Sequence, residues 1–365
     1  MNGSDTQQTL ELLKQLCSAH GVSGYEDDVR AIIQARLQPL GGSARVDALG
    51  NLIVRFDAET KDAPTLLLDA HMDEIGMVIS FVEPGGFLRF ALVGGWDERI
   101  LPAHAVDIKT ESGEIVRGVI GTPPPHILKQ DERSKPFAVE SLFIDIGAES
   151  AEQVAQMGVR VGDSAVPSYP FAMTGGESVM SKALDDRAGC TVLIRALEEI
   201  IPGSNRPPFH IVALFSTFEE VGGRGAQAAA FGIKPDIALV LEGTVAADTP
   251  GVPAARCPSR QGAGPAITLM DRTAHLPRKL VRFCEDLAKE AEIPYQFKTP
   301  IFGGTNAARI HMVQAGVPTA VFSVPCRYIH CPHSTLRLQD LQHTIQLTKE
   351  FIRHASDYLE GAQGS

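Results

Sequence analysis

Two adjacent carboxylates, Glu219 and Glu220, stand where an apolar run gives way to a glycine loop. The run, residues 209–218, has the length and composition of a buried strand, and Gly222-Gly223 indicates a turn after it. A single acid in such a place belongs by default to a solvated loop. Paired acids at a strand end can also hold a cation or move a proton, and similar arrangements recur elsewhere in the chain.

Three further apolar runs end at polar side chains that can bind metal. Residues 65–70 precede His71 and Asp73, residues 237–241 precede Glu242, and residues 318–324 precede His330 after a short loop. An open α/β sheet binds its ligands beyond the carboxyl ends of its strands. We therefore expect these side chains to converge in space and to form a site, in spite of their separation in sequence.

Asp185 is a fifth candidate, because it begins an amphipathic helix that the sequence predicts to about Ile200. Asp185 and Asp186 fall in the predicted first turn, where acids are ordinarily just favourable to the helix dipole. Metal ligation is the alternative for Asp185. The pattern of residues alone leaves both interpretations open.

The charges of the candidate residues suit two divalent cations. Asp185, Glu220 and Glu242 carry three negative charges, and neutral His71 and His330 add none. Two divalent cations carry four positive charges, which leaves one for a hydroxide. Mixed imidazole and carboxylate ligation suits zinc or cobalt better than magnesium or calcium. Two such ions about 3.5–4 Å apart polarise a carbonyl and activate water together.

The segments around these residues resemble the motif series of the M42 metallo-aminopeptidases. Five motifs match in order and spacing over nearly the whole chain: AHMDEIG (70–76), ALDDRAGC (183–190), FEEVG (218–222), GGTNA (303–307) and RYIH (327–330). The resemblance implies an aminopeptidase with two metal ions per subunit. It also implies a homo-oligomer in which dimers assemble into a tetrahedral dodecamer.

The resemblance gives each metal-site residue a role. It implies that four residues each bind one ion, while Asp185 bridges the pair; the four are His71, Glu220, Glu242 and His330. Asp73 would lie behind His71 and orient its ring. This role has a physical basis, since a metal-bound histidine commonly donates its second ring N–H to a carboxylate.

Glu219 would then be the general base beside the ligand Glu220. In an extended segment neighbouring side chains point to opposite sides, so we expect one glutamate to hold metal while the other faces the water. Gly303, Gly304 and Thr305 are the predicted substrate-binding residues. We expect Thr305 to be a helix N-cap, where free backbone N–H groups can face a substrate oxygen.

The chain departs from the family pattern at a few positions. Many relatives have Asp where this chain has Glu242 and Asn306; Glu242 reaches one methylene further, and we keep it as a ligand. Cys331 and His333 follow His330 and are possible extra ligands. We expect both to be bystanders, because a chain that passes through proline just after a ligand rarely returns to the same metal.

Composition narrows the class of protein. The 365 residues are 44% hydrophobic and 21% charged, as in ordinary soluble globular proteins. Neither a secretory signal nor a membrane span is predicted. The six cysteines lack CxxC spacing, so we expect free thiols in the cytoplasm. A net charge of −11 argues against nucleic acid or an anionic membrane as a partner.

The order of the predicted elements indicates an α/β fold with an insertion. We expect a mixed, largely parallel sheet flanked by helices, built from residues 1–72 and 171–365. Residues 73–170 contain two predicted hairpins and read as a small β-rich domain. The resemblance implies a zinc-peptidase-like sheet, with the insertion a small β-barrel used for dimerisation. A lid or a plain embellishment remains the alternative, and the loop over 121–138 could be mobile or reach a neighbouring subunit.

The predicted function is hydrolysis of N-terminal residues from peptides by two metal ions. A two-metal deacylase or carboxypeptidase of the same superfamily is the nearest alternative, because the pattern of residues cannot settle which end of a peptide enters. A glycosidase is excluded, since its two carboxyl groups must flank a sugar bond at about 5–9 Å. Glu219 and Glu220 are adjacent in sequence and cannot straddle a bond in that way.

Overall fold

The computed structural model describes residues 3–127, 130, 135–203, 207–299 and 301–363. They form the strands β1 (Ser43–Val46), β2 (Leu52–Phe56), β3 (Thr65–His71), β4 (Gly76–Val82), β5 (Leu88–Val93), β6 (Ala105–Lys109), β7 (Ile115–Gly121), β8 (Phe143–Asp145), β9 (Ser164–Pro167), β10 (Ala172–Thr174), β11 (Ser178–Ser181), β12 (His210–Ser216), β13 (Ile237–Val245), β14 (Ala266–Thr268), β15 (Gln296–Lys298), β16 (Thr319–Arg327) and β17 (Ser334–Arg337).

The helices of the described residues are mostly longer than the strands. They are α1 (Gly3–Ser18), α2 (Asp27–Leu37), α3 (Ala151–Gln156), α4 (Leu184–Ile200), α5 (Arg224–Ile233), α6 (Arg278–Glu290), α7 (Ala307–Ile310) and α8 (Leu338–Gln363). None of them combines the length and apolar character needed to cross a membrane.

A large mixed sheet forms the centre of the fold. Its main path runs β1-β2-β12-β3-β13-β16-β17-β11-β10, with β14 and β15 added beside β16. The four neighbouring strands β12, β3, β13 and β16 are parallel to one another, whereas the flanking pairs are antiparallel. Every residue of β3 and β12 is buried. These strands read as unbroken apolar runs because a central parallel sheet is covered on both faces.

Helices complete the core around this sheet. Helix α4 packs against β3 and β13 and against α1 and α8, and nearly all of its residues are buried. Helix α5 packs on β12, and α6 packs on β14 and β16. This burial explains why the apolar residues of α4 cover more than one face of the helix.

A closed barrel is inserted between β3 and β10. Its strands pair in the order β4-β5-β8-β7-β6-β9, all antiparallel, around a separate apolar core that includes Ile79, Val106 and Ile144. The predicted fold class, a largely parallel mixed sheet flanked by helices with an inserted barrel, is confirmed. In the loop predicted over 121–138, residues 128, 129 and 131–134 lie outside the described part of the chain.

Candidate metal centre

The five predicted ligands meet at the carboxyl ends of the four parallel strands. His71 is the last residue of β3, Glu242 lies in β13, Glu220 and His330 lie in the turns after β12 and β16, and Asp185 lies near the start of α4. Because these strands are neighbours in the sheet, residues far apart in sequence reach one edge of it. This is the position at which α/β sheets bind ligands.

His71 lies at the centre of one group of ligand atoms. Its Nε2 is 3.3 Å from Oδ1 of Asp185 and 3.6 Å from Oε2 of Glu242. Its Nδ1 donates a hydrogen bond of 3.0 Å to the backbone carbonyl of Asp73. That bond fixes the ring so that Nε2 faces the two carboxylates.

His330 lies at the centre of the second group. Its Nε2 is 3.3 Å from Oε2 of Glu220 and 3.6 Å from Oδ2 of Asp185. Its Nδ1 donates to the carbonyl of Gly95, 2.7 Å away, in the barrel segment between β5 and β6. Asp185 therefore presents one oxygen to each histidine and lies between the two groups.

The donor set fits divalent cations. One potential ligand atom from each of His71, Asp185 and Glu220 lies within 4.8 Å of the other two, and the same holds for His71, Asp186 and Glu242. His330 joins the set through its separate approaches to Glu220 and Asp185. Oε1 of Glu242 is buried without a hydrogen-bond partner among the described residues. Buried carboxylates are costly unless a proton or a cation compensates them. A cation at each histidine would supply that compensation.

The pKa values of the candidate ligands are shifted by burial and by the charges of their neighbours. Burial raises the pKa of Glu220 to about 8 and also raises the pKa of Glu242. Burial lowers the pKa of His330, but the hydrogen bond to Asp185 and the charge of Glu220 outweigh it and bring this pKa to about 10. The pKa of His71 is raised well above its ordinary value in the same way, with burial opposed by Asp185, Asp73 and Glu242. The carboxylates that raise the pKa values of the two histidines would equally favour a cation beside each ring.

Asp186 supports the site and differs from the sequence expectation. The pair was expected in a regular first turn, whereas both Asp185 and Asp186 have non-helical backbone angles. Asp186 accepts hydrogen bonds from the backbone N–H of His71 at 3.2 Å and of Gly189 at 2.9 Å. Its two oxygens therefore tie the end of β3 to the start of α4, while Asp185 is free to face the histidines.

The side chain of Asp73 holds the backbone of Glu219 and Glu220 in place. Its carboxylate accepts the N–H of Glu219 at 3.0 Å and of Glu220 at 3.1 Å, together with the hydroxyl of Ser23 at 2.5 Å. Burial raises the pKa of Asp73, but the neighbouring His71 and these donors hold it below its usual range. The side chain lies 3.4 Å from Nδ1 of His71, so the backbone carbonyl makes the closer contact.

Glu219 and Glu220 lie in a turn, which corrects the expectation of an extended segment. Strand β12 ends at Ser216, Phe218 adopts a left-handed φ of 58°, and the turn begins at Glu219. The chain bends here because the carboxylate of Asp73 accepts the N–H groups of both glutamates. Two successive N–H groups can reach one carboxylate only where the chain turns around it. The neighbouring glutamates nevertheless line different cavities, Glu220 one with Asp185 and Glu219 one with Gly304.

The predicted substrate residues lie beside Glu219. Gly304 and Thr305 line the same cavity as Glu219, whereas the carbonyl of Gly303 accepts the backbone N–H of Arg272 at 3.0 Å. Helix α7 is a single turn that begins after Asn306, one residue later than an N-cap at Thr305 implies. The capping contact of Thr305 is nevertheless present: its hydroxyl accepts the backbone N–H of Ala307 at 3.3 Å and its carbonyl accepts that of Ala308 at 3.0 Å, while the hydroxyl donates to Asp271 at 3.3 Å.

Asn306 and the residues after His330 lie outside the ligand groups. The side-chain amide of Asn306 donates to Asp69 and to Ser216, each at 2.9 Å. Burial raises the pKa of Asp69 to about 7, and hydrogen bonds to this carboxylate from Ser216 and from Asn306 oppose the shift. Within the described chain, no side-chain hydrogen bond or ion pair joins Cys331 or His333 to the five predicted ligands; His333 stacks on Tyr169.

Two sets of buried charges near the site had no predicted role. Glu74 is paired with Lys182 at 2.6 Å and with Arg187 at 3.3 Å, and Glu74 and Lys182 line the same cavity as Asp185 and His330. Lys298, at the end of β15, is buried close to Glu242. Burial lowers the pKa of Lys298, and the charge of Glu242 opposes it. Glu74 and Arg187 lie inside two of the quoted motifs, and that position was a signal for their role. Lys298 lies in none of the motifs, so its position in the sequence provided no signal.

Comparison with known proteins places this geometry among peptidases. A family model described as M42 glutamyl aminopeptidase matches residues 50–347. The putative aminopeptidase FrvX of Escherichia coli K12 is 35% identical over 343 residues, 94% of each chain. Among solved structures, aminopeptidase APDkam598 from Desulfurococcus kamchatkensis has a TM-score of 0.91 at 37% identity, covering 96% of this chain and 95% of its own.

A further similar structure bears on assembly. The TET1 peptidase of Pyrococcus horikoshii has a TM-score of 0.84 at 33% identity, covering 94% of this chain and 99% of its own. It is described as able to assemble into a tetrahedron or a large octahedral shell.

The hydrogen bonds of Asp73 generate a prediction about metal-free stability. Asp73→Ala removes the acceptor of three buried donors and should lower the free energy of unfolding by about 2–4 kcal/mol. The matched control is Asp57→Ala, because Asp57 is largely exposed and its removal should cost well under 1 kcal/mol. Thermal unfolding of both variants in excess chelator measures the difference. Equal melting temperatures for the two variants would contradict the role of Asp73.

Proposed function

The chain belongs to the M42 peptidase family, and we propose that it is a metal-dependent aminopeptidase with two metal ions per subunit. Hydrolysis of peptide bonds is the activity of this family. The proposal concerns the centre that performs it, which we expect to contain two metal ions. The observation that carries it is the position of Asp185, whose Oδ1 faces His71 and whose Oδ2 faces His330. One carboxylate with an oxygen in each group is the arrangement expected of a bridging ligand.

The ligand assignment follows from the two groups. His71 and Glu242 would hold one ion, His330 and Glu220 would hold the other, and Asp185 would serve both. Two imidazoles among carboxylates favour zinc or cobalt. When bound, such a pair supplies Lewis acidity for a peptide carbonyl and lowers the pKa of water.

Glu219 is the residue that we assign to proton transfer. It lies next to the ligand Glu220 but borders a different cavity, so its carboxylate can face a water molecule without being used as a ligand. It would accept the proton of the attacking water and then deliver it to the leaving amine. Asp73 would act as a positioning residue, because it fixes the backbone of both glutamates and the ring of His71.

The substrate is a peptide with a free N-terminus. We propose that its α-amine is taken up by a carboxylate or a remaining coordination position at the centre, with Gly304 and Thr305 beside the scissile bond. Gly303 adjoins them as the start of the same loop. The cytoplasm is the proposed compartment, since the cysteines of the described residues are all free and reducing conditions keep thiols free.

The experiment that tests this function is a substrate panel with defined metal. Chelator-treated protein should be inactive, and added Zn²⁺ or Co²⁺ should restore cleavage of aminoacyl-arylamides. The N-acetylated form of each compound is the matched control and should remain uncut. Cleavage of only the acetylated compounds would favour a deacylase. Full activity without any divalent ion would contradict the proposed dependence on metal.

A second experiment separates the base from its neighbouring ligand. Glu219→Gln keeps the size of the side chain but cannot accept a proton, so kcat should fall by roughly 10²–10⁴ while both ions stay bound. Glu220→Gln should lose one ion as well as activity, because an amide oxygen is a poorer ligand than a carboxylate. Metal content and kcat are measured under identical metal supply. If Glu219→Gln loses metal while Glu220→Gln keeps both ions, the two roles are reversed.

We also propose that the chain assembles as dimers into a dodecamer. Residues 73–170 would be the dimerisation domain, and residues 1–72 and 171–365 would be the two parts of the catalytic domain. The barrel exposes apolar side chains, among them Phe81, Ile115 and Val119. Ile115 and Val119 lie on the same face of β7, since side chains two or four positions apart share a face.

Light scattering at micromolar concentration tests the assembly. The unaltered protein should have the mass of a dodecamer, and the double variant Ile115→Glu with Val119→Glu should form smaller species. The predicted ligands all lie outside β7, so the variant should still bind metal. A monomeric unaltered protein would contradict the assembly.

A further inference from the structure

A second cavity, of about 320 Å³, adjoins Glu219 on the side away from the ligand Glu220. Gly222 and Gly304 form parts of its wall, Met312 supplies apolar surface, and Arg309 supplies a positive charge. Glu220 instead lines the cavity that contains Asp185 and His330. The acid pair thus lies between the two ligand groups and a pocket that is lined by the positively charged side chain of Arg309.

The side chain of Arg309 is held in place by the backbone of the turn that follows Glu220. Its Nε donates a hydrogen bond of 2.9 Å to the carbonyl of Gly222. The side-chain stem crosses Gly223 so closely that a Cβ there would come within 2.8 Å of Cγ of Arg309. The glycine therefore permits the arginine to lie flat along the loop, with its guanidinium beside the pocket.

The guanidinium has no acidic partner within the described chain. Its one hydrogen bond there uses Nε, and no carboxylate of those residues forms an ion pair with it. Its other N–H groups remain for a ligand. Arginine presents these donors as a planar fork, which matches the two oxygens of a carboxylate.

The position of Glu219 indicates which part of a substrate reaches this pocket. A base that delivers a proton to the leaving amine must lie next to that nitrogen. The residue after the scissile bond therefore leaves the centre at Glu219. The pocket with Arg309 is the cavity that begins there.

We propose that Arg309 binds a carboxylate of the leaving part of the peptide. The carboxylate can be the side chain of an acidic residue directly after the scissile bond, or the C-terminus of a dipeptide. Met312 and Ala308 would pack against the aliphatic stem of that residue. This inference rests on the proposed function, including the role of Glu219, and adds a specificity residue to it.

The test compares substrates that differ by one carboxylate. The first residue is kept as the one that the metal-loaded enzyme cleaves fastest in the arylamide panel. It is followed by Glu-amide or Gln-amide, which tests the side chain, or by Gly or Gly-amide, which tests the C-terminus. The unaltered enzyme should prefer at least one acidic member by on the order of tenfold in kcat/KM. The preference should appear mainly in KM, because the contact is remote from the reacting atoms.

Variants then assign the preference to Arg309. Arg309→Gln should abolish it and leave cleavage of the amides nearly unchanged, whereas Arg309→Lys should keep part of it because a lysine retains the charge without the fork. The matched control is Arg224→Gln, an exposed arginine close in sequence to Gly222 that does not line the pocket. It should retain the full preference.

Several results would overturn the inference without touching the proposed function. Equal cleavage of acidic and amide members by the unaltered enzyme is one, and an undiminished preference in Arg309→Gln is another. A change in particle mass in Arg309→Gln, with the preference intact, would assign the arginine to a contact between subunits. Failure to cleave any peptide with a free N-terminus would instead overturn the proposed function, and this inference with it.

Discussion

The structure depends on one electrostatic constraint, the burial of several carboxylates around the buried His71 and the partly exposed His330 at a single edge of the sheet. Such a group is stable only when positive charge lies among the acids. Asp185 is central because its two oxygens face two different histidines, 3.3 Å and 3.6 Å away. The family to which the chain belongs and the donor types both favour metal ions as the source of that charge.

The fold meets this constraint by building each side of the site from a different element. Four adjacent parallel strands bring four of the predicted ligands to one edge, and the non-helical start of α4 adds Asp185. Backbone contacts then fix the side chains: Asp73 holds the turn of Glu219 and Glu220, and the carbonyl of Gly95 holds His330. Gly95 belongs to the inserted barrel, so the insertion contributes directly to the geometry of the centre.

The sequence predicted what depends on local pattern. Unbroken apolar runs located β3, β12, β13 and β16, and the rule about carboxyl ends of strands correctly brought their polar neighbours together. Features that depend on distant contacts could not be read in that way. The turn at Glu219 exists because Asp73 lies beneath it, and the non-helical start of α4 accompanies the hydrogen bonds of Asp186 to both His71 and Gly189. No periodicity encodes either contact.

Anomalous diffraction can show whether Asp185 lies between two metal ions. Crystals of the protein loaded with zinc or cobalt would be measured at the absorption edge of the metal. We expect two strong peaks per subunit, about 3.5–4 Å apart, one beside His71 and the other beside His330. A single peak, or peaks away from Asp185, would contradict the two-ion centre.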